Sequence, residues 1–340
     1  MTDDFFGKMT RRTALRLGLG GLAAASFPFI HTSAWGETGV EGKTIGFSMS
    51  FSNLEWIKLQ QAGVVETAKK YGMKSIVYDG GDQPTKEIQN IEDLVTRKVD
   101  AILISTYYAD AIRPAIKEVN RAGIPIIVLS SPLATGSEFA CHLATDTLAT
   151  AREVGKYYVQ RLNGKGRVVQ IDGKPGSLIN QQRGKGWHEV IDANPGIKVV
   201  SHLVANYDRQ QALKVMEDAL QANSEIDAVF CHNDDMALGA IQAAREAGRL
   251  KNMWFTGYDG LTVDALQAID RGDLAATWEY APFGVEAVEA AVRVLQKKPI
   301  PKTIKFASPI ITKENLAQWY DSATKKRRAM ASRLTAAIPA

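Results

Sequence analysis

The stretch Ile226–Gly260, IDAVFCHNDDMALGAIQAAREAGRLKNMWFTGYDG, reads as strand, polar loop, helix, strand and a second polar loop. Asp227-Ala228 leads a short apolar run ending at Cys231, a helical segment closes at Ala247-Gly248, and a second apolar run opens at Trp254. The stretch Val99–Ser131, VDAILISTYYADAIRPAIKEVNRAGIPIIVLSS, repeats that order, with Asp100-Ala101 at its head and Ala122-Gly123 closing its helix. Two copies of one plan predict two similarly built parallel α/β lobes. Parallel sheets bind ligands outside the carboxyl ends of their strands, so two lobes placed face to face would line a cleft with these loops.

The same alternation runs from Lys43 to about Leu295. Thr44–Met49, Ser75–Tyr78, Ala101–Ile104, Ile124–Leu129, Arg167–Ile171, Val199–Val204, Ala228–Cys231 and Trp254–Tyr258 are short, β-branched runs bounded by Gly, Asp or Ser, as strands buried on both faces should be. Ile88, Ile91, Leu94 and Val95 mark one apolar helical stripe, and Leu213, Met216 and Leu220 another. The pattern predicts a doubly wound α/β fold. Tyr71-Gly72 and Ala122-Gly123 stand where helices need a left-handed stop, and Asn194-Pro195-Gly196 breaks the chain before a strand.

Composition shifts at Ser137–Thr147, at Glu279–Pro282 and near Ser308–Pro309, which predicts three crossings between the lobes. An N-terminal lobe would then hold residues 43–145 plus 281–309, and a C-terminal lobe residues 146–280 plus 310–320, with 321–340 left as a basic, solvated tail. A few residues in three parallel connections suffice as a hinge for two rigid lobes.

The ends of the chain differ from its body. Thr10-Arg11-Arg12-Thr13-Ala14-Leu15-Arg16 precedes an apolar, small-residue run from Leu17 to Ile30, then Thr32-Ser33-Ala34. Residues 1–34 therefore read as an export signal of twin-arginine type, cleaved after Ala34 or Gly36, with Ala14 departing from that pattern. The apolar run is too short to span a bilayer and is broken by Pro28. The expected mature protein is periplasmic. The net charge of +4 comes from the signal (+2) and from Lys325, Lys326, Arg327, Arg328 and Arg333, which leaves the body at −3. Nothing basic remains to hold a nucleic acid backbone.

Cys141 and Cys231 are too few for a disulfide framework and read as two buried free thiols. Catalytic templates do not fit. Gly42-Lys43-Thr44 precedes a strand instead of following one, and Ser177 lies in Lys174-Pro175-Gly176-Ser177-Leu178, without a nucleophile elbow. The five histidines show no pair at metal-ligand spacing, and His232-Asn233-Asp234-Asp235 reads as turn and helix-cap chemistry. Neither an enzyme, nor a cofactor, nor a metal is expected.

Asn233-Asp234-Asp235-Met236-Ala237-Leu238-Gly239, followed by Gly257-Tyr258-Asp259-Gly260, resembles the type I periplasmic sugar-binding proteins, closest to the ribose-binding branch. The likeness runs from Lys43 to about Trp319 and takes in Ala205-Asn206-Tyr207-Asp208-Arg209, Arg183-Gly184-Lys185-Gly186-Trp187 and Leu274-Ala275-Ala276-Thr277. It implies a monomeric solute receptor for an ABC permease in the inner membrane, with two lobes that close on a sugar or polyol. It places the ligand contacts on Asn53, Trp56 and Ile57 in the first loop, on Ser130 and Ser131 after the fourth strand, and on Gln181, Tyr207, Asn233, Asp259 and Tyr280.

Ser130-Ser131 replaces the Asp-Arg of the ribose branch, which argues against ribose itself. Asn233 and Asp259 have an alternative role as caps of the helices that follow them, and Trp56 as core. Tyr107 and Tyr108 follow the third strand. With Trp56, Tyr207, Trp278 and Tyr280 they would make an aromatic cleft, which also suits a methylated amine through cation–π contact. A sensory receptor using the same cleft is the other functional alternative. The signal in place of a helix-turn-helix argues against a sugar-responsive repressor.

Overall fold

In the computed structural model, residues 39–328 and 332–338 are described; the proposed signal, residues 1–34, lies outside them. In chain order the first part comprises β1 (Thr44–Met49), α1 (Glu55–Lys70), β2 (Lys74–Asp79), α2 (Pro84–Thr96), β3 (Ala101–Ser105), α3 (Arg113–Arg121), β4 (Ile126–Leu129) and β5 (Cys141–Thr145). Then come α4 (Thr147–Arg161), β6 (Gly166–Asp172), α5 (Leu178–Ile191), β7 (Ile197–Val204), α6 (Arg209–Ala222), β8 (Ala228–Cys231), α7 (Asp234–Glu246), β9 (Trp254–Thr256), α8 (Val263–Arg271) and β10 (Ala276–Trp278). The chain ends with α9 (Gly284–Leu295), β11 (Thr303–Phe306), β12 (Ile310–Thr312), β13 (Tyr320–Asp321), β14 (Lys326–Arg327) and α10 (Leu334–Ala337).

Two six-stranded sheets result, ordered β11-β5-β4-β3-β1-β2 and β12-β10-β9-β8-β6-β7. All pairings are parallel except β10 with β12. Each sheet is covered on both faces, and the strands alternate between two cores. In β3, Ala101 and Leu103 pack with α1 and α9, whereas Ile102 and Ile104 pack with α2 and α3. The chain passes from one sheet to the other after β5, after β10 and after β11. Cys141–Thr145, inside a stretch expected to be only a connection, is therefore a strand of the first sheet, and the passage begins after it. The expected strand Trp254–Tyr258 stops at Thr256.

Helix starts divide by lobe. All five second-lobe helices carry a side-chain N-cap: Asp146, Ser177, Asp208, Asn233 and Thr262. None of α1, α2, α3 and α9 has one. Gly72 and Gly123 hold φ of +67° and +69°, the left-handed stops anticipated for α1 and α3. Cys141 and Cys231 are buried free thiols, and burial pushes the Cys141 thiol up to about 12. No described helix is long and apolar enough to cross a membrane.

The first part of the tail, 321–328, is mostly exposed, as its charge suggested, but Leu334, at 2% exposure, is buried in the core of the first lobe.

Candidate functional site

The loops at the carboxyl ends of both sheets meet at one small pocket, lined by Leu54, Trp56, Tyr107, Ile179, Arg183, Tyr207, Asn233, Asp259 and Tyr280. The first lobe supplies the aromatic wall. Trp56 sits in the first turn of α1, donates Nε1–H to the Tyr280 carbonyl (2.7 Å) and lies against the Tyr280 ring at 5.5 Å. Tyr107 follows β3, its N–H held by Ser50 Oγ at 2.9 Å. Tyr280, on the connection between β10 and α9, packs with the first-lobe core and shares a 2.7 Å hydrogen bond with Ser130 Oγ after β4.

The second lobe supplies charge. Arg183 on α5 is 2% exposed; its guanidinium stacks 4.1 Å from the Tyr258 ring centroid and 5.0 Å from that of Tyr280, donates to the His232 carbonyl, and lies 3.3 Å from Asp259 Oδ1. Asp259 adopts φ +110° after β9, and its backbone pairs with Trp278 O and Tyr280 N–H. Burial raises the Asp259 carboxyl, against the pull of the Arg183 charge. Neighbouring Asp234 is also raised by burial and by the charge of Asp259, while Thr277 Oγ1–H and Gly260 N–H hydrogen-bond to it (both 2.7 Å). Asn233 Oδ1 accepts from Met236 N–H (2.9 Å), so it caps α7 while lining the pocket; its Nδ2 donates to Tyr207 O (3.3 Å). Asp259 caps nothing, because Thr262 caps α8. Tyr207, at φ +64°, lays its ring over Gly173, where a Cβ would come within 2.0 Å of it.

Among the lining residues, Arg183 Nε is buried without a hydrogen-bond partner, a condition that costs roughly 1–3 kcal/mol. The free space is about 20 Å³, enough for about one water molecule. On one side of the pocket lies a groove of about 610 Å³ between Asn53, Glu55 and Lys58 of the first lobe and Tyr207, Arg209 and Asp264 of the second. At another edge Lys174 of the second lobe pairs with Asp82 of the first, its Nζ 3.3 Å from Tyr108 Oη and 5.3 Å from the Phe51 ring centroid.

A profile of the periplasmic binding protein domain matches residues 45–299. The chain belongs to the periplasmic binding proteins. It is 34% identical over 263 residues to the ribose import binding protein RbsB of Bacillus subtilis, covering 77% of this chain and 84% of that protein. Its fold matches the arabinose-transporter binding protein of Shewanella sp. ANA-3, solved with α- and β-L-arabinofuranose, at TM-score 0.77 and 29% identity over 81% of this chain and 94% of that one. The fructose-binding periplasmic domain of a hybrid two-component system matches at TM-score 0.76 and 29% identity, covering 81% and 92%.

In this periplasmic binding protein, five of the residues singled out from sequence converge at the pocket or on its wall: Trp56, Tyr207, Asn233, Asp259 and Tyr280. Ser130 touches it through Tyr280, and Ser131 is buried beside it without lining it. Three depart. Ile57 faces the core of the first lobe, and Asn53 is exposed at the rim. Gln181 is exposed on α5; two residues along a helix is a turn of about 200°, so Arg183 takes the inward position instead. The Ser177 cap, which fixes the start of α5, and the four-residue spacing of Ile179, Arg183 and Trp187 are the signals that would have found it. His232 is a buried ring whose Nδ1–H donates to Asn180 Oδ1 (2.6 Å), with its imidazole pushed down to about 3 by burial. Among the described residues no cluster of three or more His, Cys, Asp or Glu is placed to hold a metal.

Proposed function

We propose that this chain is an exported, monomeric solute-binding protein that captures a small neutral sugar or polyol between its lobes and delivers it to an ABC permease in the inner membrane, acting as a binder and not as an enzyme. The observation that carries this reading is the pairing of aromatic rings from the first lobe and the second crossing with Arg183, Asn233 and Asp259 of the second lobe. A sugar ring has an apolar face for Trp56, Tyr107 and Tyr280 and hydroxyls that can both donate to a carboxylate and accept from a guanidinium. Similarity to binding proteins for ribose and arabinose supports the ligand class. Export through the residues 1–34 signal and a periplasmic location belong to the same reading. A solute that touches both lobes binds the closed form better than the open one, and that difference drives closure.

Titration calorimetry against pentoses, hexoses, four- to six-carbon polyols and methylated amines tests it. Heat from a neutral polyhydroxy compound, lost in Asp259→Ala, is the expected result; heat from none of them, or only from a methylated amine, overturns the sugar reading. Similarity to the sensor domain of a two-component system favours a second reading, in which a membrane kinase reads the same closed form. Delivery of the bound solute into vesicles carrying the permease separates the two.

A further inference from the structure

Asn180 lies on α5 one turn before Arg183, on the same inward face, and is 8% exposed. Its Oδ1 accepts from two groups at once, both at 2.6 Å: the Gly173 N–H, just beyond β6, and the His232 ring at Nδ1, just beyond β8. Each of those partners carries a piece of the pocket. Gly173 is the residue over which the Tyr207 ring lies, with no room for a Cβ. His232 offers its carbonyl to the Arg183 guanidinium and directly precedes Asn233. One buried amide therefore ties together three segments that reach the site from different strands and helices.

The two bonds also fix a proton. A backbone N–H can only donate, so the Asn180 atom that receives Gly173 is the oxygen, and His232 must carry its hydrogen on Nδ1. Which nitrogen of a neutral imidazole holds the proton is set by the partners of both, and here the two sides disagree. His232 Nε2 lies 3.2 Å from Asp172 Oδ1, an acceptor that favours a proton on Nε2; the other oxygen of Asp172 faces His202 Nε2 at 2.9 Å. Gln170 eases the conflict. Its Nε2 donates to Asp172 Oδ1 (2.8 Å) and stands 3.4 Å from His232 Nε2, while its Oε1 accepts from His188 Nε2 (2.8 Å). A doubly protonated ring would satisfy both sides, but burial, against the pull of Asp172, keeps His232 neutral.

We propose that Asn180 is a positioning residue of the pocket: by keeping the His232 proton on Nδ1 it holds the imidazole to α5, and with it the carbonyl that receives Arg183 and the Gly173 shelf under Tyr207. As a role in solute capture it rests on the sugar reading above; the first measurement uses no solute, so either can fail without the other.

Long-range proton–nitrogen NMR of protein with isotope-labelled histidines distinguishes a protonated ring nitrogen from a bare one, and His232→Gln identifies the signals. The intact chain is expected to show His232 with Nδ1–H and a bare Nε2. Asn180→Leu removes the acceptor and should move the proton to Nε2, toward Asp172; Asn180→Asp keeps an oxygen there and should retain Nδ1–H. Asn180→Ala, which removes the acceptor without adding bulk, takes the place of the leucine variant if that one loses its circular-dichroism signature. A ring that keeps its proton on Nδ1 without the Asn180 acceptor overturns the proposal. Calorimetry with D-ribose, L-arabinose, xylitol and myo-inositol then reads the pocket. Any of these that binds the intact chain should bind Asn180→Leu roughly tenfold more weakly, as loss of a buried acceptor predicts, and Asn180→Asp close to the intact value. Equal affinity in all three chains also overturns the proposal; if none of the four binds, the position of the proton alone decides it.

Discussion

At the scale of single residues, Asn233 does two jobs that chemistry can separate. Serine caps a helix about as well as asparagine but lacks the amide that reaches Tyr207 O. Asn233→Ser should therefore leave the urea midpoint within about 0.5 kcal/mol of the parent while weakening solute binding at least tenfold, roughly 1.4 kcal/mol. Asn233→Ala should lose both, with about 1 kcal/mol of stability gone. Glu87 on α2 gives a pH test. Buried and accepting from Ser50 Oγ (2.8 Å), its carboxyl is pushed by burial from 4.5 to about 7. The folded form holds this proton more tightly than the unfolded form, so its stabilising contribution is full below pH 4.5 and lost as pH rises through 7. Glu87→Gln should raise the melting temperature at pH 8 and change it little at pH 4.5; an equal effect at both pH values contradicts this assignment. Asn233, Asp259 and Tyr207 were legible because each lies two or three residues beyond the end of a strand, where a sequence motif is also a position in space. Arg183 was not, since its inward direction depends on where α5 begins.

At the scale of elements, the unequal capping of the two lobes is open to measurement. Asp208 accepts from Gln211 N–H at 2.8 Å, and Asp208→Ala should cost about 1 kcal/mol in chemical denaturation. Gln83, exposed and extended at the start of α2 with no side-chain cap, should gain when changed: Gln83→Ser is expected to add a few tenths to about 1 kcal/mol. No gain would mean that the backbone there cannot seat a cap. The strands of both sheets were largely readable as short β-branched runs, because a sheet covered on both faces leaves no polar alternation to confuse them. β5 was hidden by its polar neighbours. α10 was hidden by charge: Leu334, Ala337 and Ile338 have the three- and four-residue spacing of a buried stripe, within a tail where arginine and lysine drew attention to solvent.

At the scale of the whole molecule, the Lys174–Asp82 pair joins the lobes at the cleft edge, with side chains 25% and 48% exposed. Pairs this open contribute about 0.2–1 kcal/mol. Lys174→Ala should speed solute release by roughly 1.4-fold to fivefold, the kinetic equivalent of that energy. Salt should accelerate release from the parent, because screening weakens the pair, and leave the variant nearly unaffected; stopped-flow tryptophan fluorescence at two ionic strengths reads both. Tyr280 has the widest reach, because one residue serves both as pocket wall and as part of a connection between the sheets. Tailoring the receptor to a bulkier guest by trimming that phenol would release its tie to Ser130 and alter the support of the Trp56 indole, and so reset the angle at which the empty receptor rests. On the proposed reading of the pocket, selectivity and mechanics share this side chain, and an engineer who changes one here must retune the other.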